Sequence, residues 1–268
     1  MKLDDLITTG AVWLPKIEQA YAWLVENGPV VAEPELPKWV LHELVAGGRI
    51  LRLRRGVYLV PDTDGKIALP ALAVGGLVEP LSYVSFYAAL AHWGLTDQTP
   101  RRIGVVSKHR HRPIPFGSQQ IEFLAAEVRL PKSGLREERQ TGYRIRVAAP
   151  AHALLDSLAH PRLSAAPAEM LRVLEHGLLG GAFSKEELVE LTLSRRGVAV
   201  PRRLGLLLEA LTGVAEPKLQ SRAQNSNTYL DFSGPESTVF FKRVPGWRLT
   251  APADAAGLRA AAGVGDLA

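Results

Sequence analysis

A short basic hairpin that follows two helical stretches constrains the fold of this chain most. Apolar spacing predicts a helix over 17–25 and a shorter helix after Pro37. Two short alternating runs, at 50–53 and 57–60, then read as strands on either side of an Arg-Arg-Gly turn at 54–56. The order of helix, short helix and basic hairpin predicts a winged helix-turn-helix module.

Charge is segregated within this module. Residues 1–35 hold two lysines against six acidic residues, a net charge of −4, whereas residues 38–55 hold five Lys or Arg against one Glu, a net charge of +4. A helix of about ten residues can enter the DNA major groove while an adjacent hairpin reaches the backbone or the minor groove. We therefore expect the DNA-binding residues to be Lys38, His42, Arg49, Arg52, Arg54 and Arg55. The alternative is a solvent-facing hairpin with incidental arginines. Trp39 is expected to lie in the core, with a contact to the sugar-phosphate backbone as the alternative.

A second basic region follows between residues 101 and 146, where eleven Lys or Arg face four Glu, a net charge of +7. Such a run is often only a solvated face, and this alternative stays open beside a phosphate-contacting one. The residues of the possible second basic surface are Arg101, Arg102, Lys108, Arg110 and Arg112.

The remainder of the chain predicts a larger domain of mixed strands and helices. A turn-rich seam at 62–65 separates the hairpin from this part, which gives two domains, residues 1–65 and 66–268. The fold class is therefore α+β, with an N-terminal winged helix-turn-helix module and a larger mixed α/β C-terminal domain. Ser85 is expected to cap a helix, and a late hairpin is expected between 229–232 and 239–242. Further strands are expected at 103–107, 121–125 and 143–148, and helices at 151–158, 168–179, 184–192 and 202–211.

Several classes of site find little support in the sequence. The chain has no cysteine, which excludes disulfides and thiolate zinc sites, and its first residues carry no signal core, so we expect a cytoplasmic protein without membrane contact. His109 and His111 could orient two metal ligands, but their cationic neighbours favour a basic loop. The triplet Glu216-Pro217-Lys218 is the nearest approach to a nuclease motif, and its proline and the preceding glycine place it in a loop. We therefore expect no catalytic residue, no metal and no cofactor.

A succession of motifs resembles a known family. They are Leu51-Arg52-Leu53-Arg54-Arg55-Gly56-Val57-Tyr58, Tyr83-Val84-Ser85-Phe86-Tyr87-Ala88-Ala89-Leu90, Gly94-Leu95-Thr96-Asp97-Gln98-Thr99-Pro100, Val147-Ala148 before Ala153-Leu154-Leu155-Asp156, and Arg202-Arg203-Leu204-Gly205-Leu206-Leu207-Leu208-Glu209. In order and spacing they are similar to the AbiEi antitoxins of type IV toxin-antitoxin systems. Four of the best-matching residues sit at predicted helix ends or helix interiors, and we interpret them as structural: Ser85, Gly94, Asp156 and Gly205.

The resemblance implies a transcriptional repressor with two partners. One is double-stranded DNA, the promoter of its own toxin-antitoxin operon with repeated half-sites, and the other is a cognate nucleotidyltransferase-like toxin that the C-terminal domain counters. Alternatives are a metal-dependent nuclease and a stand-alone nucleic-acid-binding regulator without a toxin partner. An RNA-binding or purely protein-interaction module is a further alternative.

Overall fold

The computed structural model describes residues 13–32, 34–62, 64–126, 134–233 and 242–265. The chain divides into two compact units. The first unit is Met1–Pro80 with Arg139–Arg144, and the second is Leu81–Glu138 with Ile145–Ala268. Because each unit has its own core, they are described separately.

The first unit contains two helices and a small antiparallel sheet. Its elements are α1 (Trp13–Glu26), β1 (Val30–Ala32), α2 (Lys38–Ala46), β2 (Leu51–Arg54) and β3 (Val57–Leu59), with strand order β1-β3-β2. Leu24 of α1 and Leu44 of α2 are fully buried and share a hydrophobic cluster with Ile50 and Tyr58. Both predicted helices and both predicted strands are present. Strand β1 was not predicted, because its three residues lie between prolines.

The segment after the hairpin is tied to the first unit. The Asp62 carboxylate accepts hydrogen bonds from the backbone N–H of Asp64 and of Lys66, which ties Asp62 to the residues that follow it. A helical turn follows at Ala71–Ala73 and leads into α3 (Val74–Val78), whose Leu77 carbonyl accepts a hydrogen bond from the Arg54 side chain. These contacts explain why the first unit extends to Pro80. The domain boundary at residue 65 remains a prediction.

A six-stranded mixed sheet contributes to the second unit. Its strand order is β6-β7-β5-β4-β9-β8, with β5 parallel to β7 and antiparallel to β4. Ile103 and Ile121, which are register partners on β5 and β7, are buried. The strands are β4 (Tyr83–Val84), β5 (Arg102–Ser107), β6 (Ile114–Phe116), β7 (Gln119–Ala125), β8 (Leu135–Gln140) and β9 (Tyr143–Ala148).

Helices form most of the rest of this unit. Helix α8 is the most deeply buried of them, and α5, α6, α9 and α10 pack against it. The predicted capping box on α7 is present, since Ser184 Oγ accepts a hydrogen bond from the Glu187 backbone N–H at 3.0 Å. The helices are α4 (Phe86–His92), α5 (Pro150–Ala159), α6 (Pro167–Leu179), α7 (Lys185–Ser194), α8 (Ala199–Thr212), α9 (Pro217–Ala223) and α10 (Ala255–Ala262).

A second small sheet near the end of the chain corrects one prediction. Strand β10 (Leu230–Asp231) pairs in parallel with β12 (Leu249–Ala251), and β11 (Lys242–Val244) pairs antiparallel with the other edge of β12. Of the second member of the predicted hairpin between 229–232 and 239–242, only Lys242 is described, and there the prediction is wrong, because Lys242 pairs with Ala251 and β12 lies between it and β10. Residues 239–241 lie outside the described residues.

The predicted fold class, a mixture of helices and sheets in an α+β chain, is confirmed. Within the described ranges no helix has the length and apolar character needed to span a membrane.

Candidate nucleic-acid interface

Helix α2 presents a polar face beside the hairpin. Val40, Leu41 and Leu44 are buried against the core of the first unit, which leaves the opposite face to solvent. That face carries Lys38 and Trp39 one turn before His42 and Glu43. The Trp39 side chain is 38% exposed, so the prediction that it lies in the core is wrong. Trp39 lies beside Lys38 on the outer, solvent-facing side of the helix.

The hairpin ends in a two-residue turn. Strand β2 ends at Arg54, β3 begins at Val57, and Gly56 has a φ of 77°, a left-handed conformation that glycine adopts without strain. The pairing register shifts between Arg52 and Arg54, which marks a bulge. Arg55 consequently stands alone at the tip.

A groove of about 810 Å³ runs between α2 and the hairpin. Its apolar lining comes from the aliphatic side of α2 and from Tyr58, and among the described residues no acidic side chain lines it. A cleft lined by charges of one sign focuses the electrostatic field and attracts anionic partners. The basic residues that line the groove are Lys38, His42, Arg52, Arg54 and Arg55.

Two of the arginines predicted to bind DNA are held by the protein itself. The Arg49 guanidinium forms two hydrogen bonds, of 2.5 and 2.8 Å, with the Glu18 carboxylate and stacks 3.9 Å from the centre of the Tyr21 ring. These hydrogen bonds raise the pKa of Arg49 and lower that of Glu18. Arg54 donates from Nε to the Leu77 carbonyl at 3.1 Å. In the described part of the chain the side chains of Arg52 and Arg55 make no such contact.

The residues of the possible second basic surface, between 101 and 112, lie in the second unit, and none of them lines this groove. Arg102 pairs with Glu122 at 3.3 Å and donates to the Arg162 carbonyl, so its charge is largely compensated. Lys108 also has a partner. Arg101, Arg110 and Arg112 are exposed, and no described residue binds their side chains. The region therefore offers fewer available cations than the sequence indicated.

Ser85 and Asp156, two residues of the recurring motifs, form a polar link at the start of α4. Ser85 does not cap α4 with its side chain, contrary to prediction. Its Oγ donates instead to Asp156 Oδ2 at 2.6 Å, while Arg195 Nη1 donates to the other carboxylate oxygen at 2.7 Å. Ser85 is completely buried. These residues hold α4, α5 and the end of α7 together and thus act structurally.

A second buried network surrounds Glu169. Its Oε1 accepts hydrogen bonds from Tyr87 and Thr96, at 2.9 and 2.7 Å, and its Oε2 accepts one from Arg172 at 2.9 Å. Burial alone would raise the pKa of Glu169, but the three donors together hold it below its usual value. Burial is also the main reason that the pKa of Tyr87 rises to about 12. The network joins α4 to α6.

Helix α8 supplies close packing and buried arginines. A Cβ on Gly205 would lie 2.1 Å from the Trp247 ring, so only glycine fits there. Arg202 is fully buried and donates to the carbonyls of Ala223, Ser226 and Thr228. Burial lowers the pKa of its neighbour Arg203 to about 10. The Arg-Arg motif therefore fixes the chain that follows α9 and does not bind an external anion.

The residues considered for catalysis are engaged elsewhere. Glu209 accepts a hydrogen bond from the Trp247 indole, and Glu216 pairs with Lys185 at 3.0 Å. In the described ranges no group of three or more His, Asp or Glu is placed to hold a metal ion. The His109 and His111 side chains both have partners, and the His111 ring lies 5.0 Å from that of Phe123.

Comparison with known families gives a match within the second unit. Residues 83–210 match the AbiEi antitoxin C-terminal domain family. This segment is an AbiEi antitoxin domain. The resemblance predicted from the motifs is confirmed for this segment, which contains all of the quoted motifs except the one at 51–58. An AbiEi domain indicates a regulatory component of a toxin-antitoxin system.

A solved structure supports the fold over a longer stretch. The RV2827C protein from Mycobacterium tuberculosis is similar with a TM-score of 0.55 and 16% sequence identity, covering 92% of this chain and 94% of that one. At this identity the likeness shows the fold alone. Comparison with curated proteins gives no match.

Proposed function

We propose that this AbiEi-domain protein is a DNA-binding transcriptional regulator and antitoxin, which represses the promoter of its own toxin-antitoxin operon and counters a nucleotidyltransferase-like toxin. The observation that carries the DNA-binding part is the groove between α2 and the hairpin, which is lined by Lys38, Arg52, Arg54 and Arg55 and by no acidic side chain among the described residues. The AbiEi domain supports the antitoxin part.

The geometry of the first unit suits duplex DNA. Helix α2 has nine residues, and strand order β1-β3-β2 places the hairpin beside it, as in a winged helix-turn-helix module. The turn at 34–37, closed by a 2.7 Å hydrogen bond from the Leu36 N–H to the Pro34 carbonyl, takes the place of the usual second helix. Lys38, Trp39 and His42 would then face the base edges, while Arg52 and Arg55 would meet the backbone or the minor groove. Arg49 is left out of this interface, since Glu18 already holds its guanidinium.

The test of DNA binding is a competition experiment with the full chain. A labelled duplex carrying the region upstream of its own gene should be displaced by the same unlabelled duplex and poorly by an unrelated duplex or by RNA of the same length. Preferential displacement by RNA would favour the RNA-binding alternative. Equal displacement by all three would reduce the interface to nonspecific polyanion binding.

The antitoxin role is tested in cells. If a nucleotidyltransferase-like reading frame lies beside this gene, its expression alone should arrest growth and co-expression of this chain should restore it. Growth arrest that persists despite folded, expressed protein would contradict the antitoxin role. A non-enzymatic mechanism predicts that the purified chain does not cleave DNA or RNA with added Mg²⁺ or Mn²⁺. Cleavage that Glu209→Gln or Glu216→Gln abolishes would favour the nuclease alternative.

A further inference from the structure

The three arginines of the hairpin occupy different structural positions. Arg52 lies in the body of β2, opposite Tyr58, and lines the groove. Arg54 ends that strand, and its side chain is directed to the backbone of α3 through the 3.1 Å hydrogen bond to Leu77. Arg55 is in the turn itself. The three arginines of the Arg-x-Arg-Arg sequence at 52–55 therefore lie in three different environments and do not form one uniform basic patch.

Arg54 holds the hairpin in place. Besides the bond from Nε to the Leu77 carbonyl, its Nη1 donates to the Arg55 carbonyl at 3.5 Å, so one guanidinium bridges the hairpin turn and the end of α3. A bidentate contact to DNA phosphate would need the same donors. The Arg54 side chain is therefore committed to fixing where the turn points.

Arg55 has the opposite properties. It is exposed, its side chain has no partner among the described residues, and the tight turn with Gly56 at positive φ projects it beyond both strands. The DNA minor groove is about 6 Å wide and admits a single extended side chain more readily than a strand. Where A·T pairs narrow that groove, the negative potential within it rises and attracts arginine in particular, because a guanidinium is more weakly hydrated than an ammonium.

We propose that Arg55 gives this protein a preference for A·T-rich DNA beside the site that α2 reads, by entering the minor groove there, and that Arg54 is the positioning residue that aims it. This inference rests on the proposed function, since it presupposes that α2 and the hairpin bind duplex DNA. The proposal adds a preference for A·T pairs at the flanking positions, where no side chain forms a hydrogen bond to a base edge.

The test begins with the wild-type full chain and a pool of random duplexes, from which the preferred core is enriched. Three versions of that duplex then carry the same core with A·T, G·C or inosine·cytosine flanks. Inosine·cytosine keeps the major-groove pattern of G·C but lacks the minor-groove amino group. The wild type should bind the A·T and inosine·cytosine versions about tenfold more tightly than the G·C version, the effect of roughly one lost side-chain contact.

Three variants assign the preference to a residue. Arg55→Lys, which keeps the charge, should bind all three flanks almost equally, and Arg55→Ala should do the same at lower affinity. Arg54→Ala should retain the order of the flanks but reduce the differences in affinity among them, because Arg55 is then less precisely positioned. Circular dichroism of each variant establishes that the fold is intact.

The outcomes distinguish a failure of this inference from a failure of the proposed DNA-binding function. A wild-type chain that enriches no duplex contradicts the proposed function and this inference with it. A chain that enriches a duplex but binds the three flanks equally, or an Arg55→Lys variant that keeps the full preference, leaves DNA binding in place and overturns the role of Arg55. Loss of the preference in Arg54→Ala with retention in Arg55→Ala would reverse the two roles.

Discussion

Ser85 donates a 2.6 Å hydrogen bond to Asp156 across 71 positions of the chain and thereby joins α4 to α5. Asp156 also accepts from Arg195, and its side chain is only 14% exposed. Removal of the carboxylate would leave a buried hydroxyl and a guanidinium without their acceptor.

We therefore expect Asp156→Ala to lower the free energy of unfolding by about 1–3 kcal/mol, the usual cost of buried partners left unsatisfied. Urea-induced unfolding of the full chain measures this change. Asp97→Ala is the matched control, because Asp97 is exposed and, in the described part of the chain, without a side-chain partner. Equal stabilities of the two variants would show that the Ser85–Asp156–Arg195 link is not structural.

The Glu169 network predicts a pH dependence of stability. The pKa of Glu169 lies below the 4.5 expected for the unfolded chain, so the folded state favours the carboxylate. The contribution of the Glu169 carboxylate to the free energy of unfolding is complete above about pH 4.5 and is lost as the pH falls through the pKa of Glu169 in the folded state. Glu169→Gln should therefore be destabilised relative to wild type at pH 7, and the difference should shrink under acid conditions.

Denaturation at several pH values measures that difference, with Glu190→Gln as the control. Glu190 is exposed, and no described residue forms an ion pair with it. A difference between Glu169→Gln and wild type that does not change with pH would mean that packing, and not the ionised carboxylate, is what the substitution removes.

The contact between Gly205 and Trp247 predicts an effect opposite to helix propensity. Alanine in the middle of a helix is more favourable than glycine by about 1 kcal/mol. At Gly205, however, the added methyl group would lie 2.1 Å from a fully buried indole ring. Gly205→Ala should therefore be destabilising by roughly 1–3 kcal/mol, as is typical of an overpacked core.

Gly76→Ala is the control for this substitution. Gly76 is also helical, and a Cβ there meets nothing closer than 3.9 Å, so its replacement should be neutral or slightly stabilising in thermal unfolding. If the two substitutions changed Tm in the same direction, the close approach at Gly205 would not control stability.

Because Arg49 forms an ion pair with Glu18, we predict that Arg49 does not contribute to DNA affinity. Its guanidinium is already bonded to a carboxylate and stacked on Tyr21, and exposed ion pairs contribute little to stability, so neither binding nor folding should depend strongly on it. Arg49→Ala should bind the upstream duplex within about twofold of wild type, which corresponds to less than half a kcal/mol. Fluorescence anisotropy measures the affinity, and a loss as large as that of Arg55→Ala would return Arg49 to the interface.

Local patterns predicted the elements of the candidate interface but not their connections. The apolar spacing in α2 and the Arg-Arg-Gly turn depend only on neighbouring residues, so both could be read from sequence. The bond from Arg54 to Leu77 spans 23 positions, and the pairing of Arg49 with Glu18 spans 31. Sequence spacing carries no signal for such contacts, and for this reason Arg49, Arg52, Arg54 and Arg55 appeared equivalent.

The same limit applies to the second unit. Its longer helices follow their periodicity, but β10 pairs in parallel with β12, which lies beyond β11 in sequence, and nothing local distinguishes that pairing from a hairpin. The recurring motifs identified the family. They did not reveal that Ser85 binds Asp156 or that Gly205 makes room for Trp247.

The salt dependence of duplex binding tests the central claim most directly. Each phosphate neutralised by a cation contributes a slope of about −0.9 to a plot of log affinity against log salt concentration. The double variant Arg52→Ala/Arg55→Ala should therefore show weaker binding and a slope flatter by about one to two units, one for a phosphate contact of Arg52 and up to one more for the charge of Arg55 between the phosphates of the minor groove. Arg196→Ala, which removes an exposed arginine of the second unit, should match wild type. If the double variant retained the wild-type slope, or Arg196→Ala flattened it equally, the groove between α2 and the hairpin would not be the surface that binds DNA.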